Sequence, residues 1–132
     1  MSIQEDHIEA IIASVLAVNA YGLGKAYGLL PSLREFGLTN PQLVSRHDIG
    51  EVLVRLSKAG YDRGFLVEMM AGRLINLMDM AADGKLDALN NLVREDNELA
   101  AKELLCTVKG IGPKVAGDAW MLMTSHANPL KK

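Results

Sequence analysis

Apolar residues recur at intervals of three and four along almost the whole chain, and alternation with a period of two is never sustained between turn signals. This pattern predicts an all-α fold of about seven helices. The first is expected from about Gln4 to Ala20, where Ile8, Ile11, Ile12, Val15 and Leu16 form a stripe that Gly22 and Gly24 terminate. A second is expected from Lys25 to Phe36, ending at Gly37. Thr39-Asn40-Pro41 marks the start of a short helix, because proline suits the first helical position and a Thr or Asn side chain can accept from the free N–H groups. Asp48, with Glu51 three residues on, opens a helix that carries Val52, Leu53 and Leu56 and stops at Gly60.

The longest stretch runs from about Arg63 to Ala82, with Leu66, Met69, Met70, Leu74, Leu77, Met78 and Ala81 on a stripe wide enough for the central helix of the fold. Asp83-Gly84 closes it. Its methionines, in a chain with six aromatic residues, read as adaptable core filler. A short segment around Leu86 to Leu92 precedes a helix from about Asp96 to Val108, and a last helix takes Pro113 to about Thr124. No internal repeat, low-complexity tract or linker interrupts residues 1–132, so a single helical domain is expected.

The 49% hydrophobic and 23% charged composition is that of an ordinary globular domain and excludes disorder as the general state. A formal charge of −2 argues against a protein that coats nucleic acid by charge alone, yet the charge is uneven. Residues 1–100 hold nine Lys or Arg against fourteen Asp or Glu, whereas Lys102, Lys109, Lys114, Lys131 and Lys132 outnumber Glu103 and Asp118 after them. The longest uncharged run, Ala10 to Gly24, is shorter than a bilayer span, and Glu5 and Asp6 stand where a leader would be basic. Neither a membrane helix nor a signal peptide is expected, and a single cysteine points to the cytoplasm.

Cys106, between Leu105 and Val108, is expected to be a small buried hydrophobe rather than a nucleophile. His7, His47 and His126 share no helical spacing and are expected at the surface or at caps; no zinc or iron–sulfur spacing exists.

One segment carries chemistry. In Lys109-Gly110-Ile111-Gly112-Pro113-Lys114 the glycines allow positive φ and close backbone approach, Ile111 can pin the turn into the core, and Pro113 starts the next helix without wasting a donor. Free N–H groups at a helix N-terminus make an anion site. In the last helix Ala116, Ala119, Trp120 and Met123 face inward, which leaves Lys114 in the first turn, against the helix dipole. Asp118 follows it in the less favourable order for an i, i+4 pair. A residue that breaks a local rule is a candidate functional residue, here for binding phosphate or as an amine nucleophile. The plain alternative is an exposed, solubilising lysine.

The run Leu104-Leu105-Cys106-Thr107-Val108-Lys109-Gly110-Ile111-Gly112-Pro113-Lys114-Val115-Ala116 resembles the hairpin of the helix-hairpin-helix superfamily of DNA glycosylases, which includes endonuclease III and 8-oxoguanine glycosylase. Lys58 to Gly64, the long helix after it and Asp83 to Leu89 resemble the region that precedes the hairpin in that superfamily, and Ile8 to Asn19 resembles its opening helix. The resemblance implies a helix-hairpin-helix over about residues 96–124 that binds double-stranded DNA, damaged or abasic, in DNA repair. It implies phosphate contacts from Lys109, Gly110, Gly112 and Lys114, with no further cofactor than a monovalent cation on the carbonyls of Cys106, Val108 and Ile111. Lys114 falls where lyase members keep a Schiff-base lysine, and Asn19 near a polar residue that fills the gap left by a flipped base. The superfamily's essential aspartate would fall at or just past Lys132, and His126 to Lys132 hold no carboxylate. Lyase chemistry at an abasic site is therefore expected over base excision. The reading from a different class is a catalytically inactive helical module that binds a partner protein or a second copy of itself.

Overall fold

The computed structural model describes residues 3–17, 22–46, 48–61, 64 and 66–124, and these are all-α. In chain order the helices are α1 (Glu5–Leu16), α2 (Leu23–Gly28), α3 (Leu30–Glu35), α4 (Pro41–Val44), α5 (Ile49–Lys58), α6 (Leu66–Ala82), α7 (Ala88–Arg94), α8 (Glu98–Leu105) and α9 (Pro113–Thr124).

The core axis is α1 rather than the longer α6. Every residue from His7 to Leu16 is buried, whereas α6 keeps Glu68, Met69 and Asp79 at the surface. A helix that is apolar nearly all round belongs in the interior, and the polar groups α1 carries inside each have a partner. Ser14 Oγ donates to the Ala10 carbonyl at 2.9 Å, Glu9 holds Arg34, and His7 Nδ1 lies 3.1 Å from Asn90 Oδ1. His7 is therefore a satisfied core histidine, not a surface or cap residue, and His47 and His126 lie outside the described residues. The buried Tyr61 hydroxyl donates to the Leu16 carbonyl at 2.9 Å and so satisfies the end of α1. Helices α2, α6 and α9 pack on α1, α4 and α5 on α6, and α8 joins α7 to α9.

Three predicted elements differ. The helix expected from about Gln4 to Ala20 ends at Leu16, with Ala17 as its C-cap. The helix expected over Lys25 to Phe36 is split at Leu29, because Pro31 has no N–H for the Tyr27 carbonyl and its ring crowds that turn; the Leu29 N–H falls back on Ala26 instead. The helix expected from Asp96 starts at Glu98. Asp96 takes φ +57, and Asn97 caps the helix by accepting from the Ala100 N–H at 3.3 Å. Two starts are as the caps predict: Asn40 accepts from Gln42 and Leu43, and Asp48 from Glu51. Met70 and Met78 are fully buried and fill the core, while Met69 is exposed.

Candidate nucleic-acid interface

Helix α8 ends at Leu105, and the chain tightens as the N–H groups of Thr107 and Val108 close onto the Leu104 and Leu105 carbonyls at 3.1 and 3.0 Å. Ile111 N–H then donates to the Val108 carbonyl at 3.0 Å, closing a four-residue turn over Lys109 and Gly110. Val108 and Ile111 are buried, so the turn is pinned from both sides, as the sequence predicts for Ile111. Cys106 is exposed, contrary to expectation: it is the residue after the last helical one, where the chain has left the apolar stripe.

Gly110 sits at φ +99, a conformation that side chains disfavour. It is also covered. A Cβ placed there would stand 3.0 Å from both Cγ and Cδ of Arg73 and 3.2 Å from its Nε, so the Arg73 stem lies across the turn from α6. Arg73 forms no ion pair or hydrogen bond among the described residues. Sequence reasoning missed this residue; it is 37 positions from Gly110, and only the packing of α6 against the hairpin brings them together.

Gly112 precedes α9 and serves as its N-cap. The Ala116 N–H is the first to bond back, to the Gly112 carbonyl at 2.9 Å, so the N–H groups of Lys114 and Val115 lie ahead of the first helical hydrogen bond. A glycine cap has no side chain to accept from them, and nothing lies within 4 Å of where its Cβ would be. Lys109 and Lys114 are exposed, the Lys114 side chain at 72%. Lys114 Nζ pairs with Asp118 Oδ2 at 2.7 Å, so the i, i+4 pair forms despite its unfavourable order.

The Cys106 and Ile111 carbonyls accept no hydrogen bond among the described residues, and that of Val108 accepts one. Asn19 lies outside the described residues. Among those residues no three His, Cys, Asp or Glu side chains gather as a metal site, and no helix is long and apolar enough to cross a membrane. The structure thus brings Lys109, Gly110, Gly112 and Lys114 to one turn and adds Arg73. No family model, curated protein or solved structure matches the chain at a significant level.

Proposed function

We propose that the protein binds the phosphate backbone of double-stranded DNA, damaged or abasic, through the turn between α8 and α9. The observation that carries this reading is the open N-terminus of α9: two backbone N–H groups without a cap, an N-cap position with free space around it, Lys109 and Lys114 on the turn, and the Arg73 side chain of α6 beside Gly110. Oriented amides and a helix dipole favour an anion there, and lysines supply the long-range attraction. A monovalent cation on the carbonyls of Cys106, Val108 and Ile111 would add positive charge beside the phosphate. Such contacts position a duplex without reading its sequence. The Lys114 amine is the group offered to C1′ of an abasic sugar, with the Asp118 carboxylate at 2.7 Å within reach of its proton.

Gly112→Asp separates binding from folding. An aspartate at the N-cap should stabilise the domain by a few tenths to about 1 kcal/mol while covering the amides with a carboxylate. Fluorescence anisotropy with a labelled abasic duplex should then show salt-dependent binding by the wild type, and loss of at least about tenfold in affinity, or about 1.4 kcal/mol, in the variant. Undiminished binding by Gly112→Asp removes the hairpin from the interface, and no binding by the wild type at low salt removes DNA. Borohydride trapping of wild type but not Lys114→Ala on the abasic strand tests the amine.

A further inference from the structure

About 12 Å along α6 from Arg73, at eight residues' distance, Ala81 forms part of a cleft of about 470 Å³ between the start of α1, the end of α3 and α4. That volume lies in the range of small-molecule sites. The cleft has an apolar floor of Ile3, Ile8, Leu43 and Ala81, and Leu43 is one of the few large apolar side chains left 41% exposed. Two charged residues line it, Arg34 and Glu5.

Arg34 is set in place from behind. Glu9, only 5% exposed, accepts from Nε and Nη2 at 2.7 Å each, one carboxylate oxygen to each nitrogen. This takes the side-on edge of the guanidinium. The end-on edge, made by Nη1 and the second Nη2 proton, is the other fork that matches a carboxylate, and the Arg34 side chain is 48% exposed. The Glu9 hydrogen bond raises the proton affinity of Arg34 further, with Glu5 and Tyr27 adding to it against partial desolvation, so the donor stays charged.

Charge balance selects the ligand. Glu9 neutralises Arg34, and Glu5 then leaves the cleft with a net negative charge. A bare carboxylate gains the Arg34 edge but meets Glu5; a bare amine gains Glu5 but leaves that edge empty. A zwitterion satisfies both without adding charge. We propose that this cleft binds a small α-amino acid with a branched apolar side chain, its carboxylate on the free edge of Arg34, its ammonium on Glu5, and its side chain on Ile3, Ile8, Leu43 and Ala81. The site is independent of the hairpin and of the DNA reading.

The test is a methyl and amide NMR titration of the full chain with leucine, 3-methylbutylamine and 4-methylpentanoate, three probes that share one branched tail. Leucine should shift the signals of Ile3, Ile8 and Leu43 saturably with a dissociation constant on the order of 1 mM, the range open to so small a ligand. The amine and the acid should bind at least about tenfold more weakly. Because Arg34 substitutions strand Glu9, the variant is Glu5→Gln, at an exposed position, which should weaken leucine about tenfold while the domain still unfolds in one cooperative transition, its midpoint lowered only by the loss of one first-turn carboxylate. The proposal is overturned by an absence of saturable shifts with leucine, by either single-charge probe binding as tightly as leucine, or by a Glu5→Gln variant that binds leucine unchanged.

Discussion

Gly110→Ala tests whether the hairpin is locked by the contact with α6. The backbone there has φ +99, and forcing an L-residue into a left-handed conformation costs roughly 1–2 kcal/mol. The new Cβ would also stand 3.0 Å from Cγ and Cδ of Arg73, tighter than carbon atoms usually pack, so the arginine stem must shift by a few tenths of an ångström and loosen its packing on the turn, about 1 kcal/mol more. The single substitution should therefore cost roughly 2–3 kcal/mol, which for a domain of this length lowers Tm by about 3–5 °C per kcal/mol. The two terms separate in a double-mutant cycle. In an Arg73→Ala background the steric term is gone and only the backbone term remains, so Gly110→Ala should cost about 1–2 kcal/mol there, a coupling of about 1 kcal/mol. Urea unfolding of the four proteins supplies the measurement. A Gly110→Ala cost below about 0.5 kcal/mol, or coupling within about 0.3 kcal/mol of zero, would refute the reasoning.

Two further stability predictions concern the polar groups of α1. Removing Arg34 as alanine leaves the Glu9 carboxylate buried without its partner and should cost about 3 kcal/mol, whereas Glu9→Ala leaves only a half-exposed guanidinium and should cost about 1–2 kcal/mol, an order that denaturant midpoints will check. Asn90→Ala removes the oxygen that accepts from the Gln4 N–H at 2.9 Å and lies 3.1 Å from His7 Nδ1; two groups at the start of α1 lose an acceptor, for roughly 2 kcal/mol and early hydrogen exchange in that turn.

How much of this was legible depends on the range of each interaction. Asn40-Pro41, Asp48 and Gly112-Pro113 could be read because a cap or a proline acts on its neighbours, and the corresponding helices begin where those residues demand. Pro31 carries the same kind of local signal, and it splits the helix that apolar spacing alone would run through. Cys106 shows the limit of periodicity: the stripe extrapolates through Leu105 to Val108, and both are buried, but the helix ends between them and the thiol turns outward. The central role of α1 was hidden by His7, Glu9 and Ser14, polar residues that read as surface positions until their partners are known. Glu9 finds Arg34 25 positions away and His7 finds Asn90 83 positions away. Of the hairpin, residue types and order were readable, and the arginine beside Gly110, supplied by a helix distant in sequence, was not.

Lys114 decides between a turn kept for stability and a turn kept for binding. Its ammonium at the N-terminus of α9 is disfavoured by the helix dipole by about 0.3–1 kcal/mol, and its ion pair with Asp118, the lysine being 72% exposed, returns no more than about that amount. The two terms nearly cancel, so nothing in the folded domain holds the lysine there, and it can exchange Asp118 for a phosphate at little cost. Lys114→Ala should accordingly leave the unfolding midpoint within about 0.5 kcal/mol of wild type. In the same variant the slope of log affinity against log salt for duplex DNA should fall by about one, the loss of one neutralised phosphate. A destabilisation above about 1 kcal/mol would make the lysine a structural residue; an unchanged slope would leave its charge facing water.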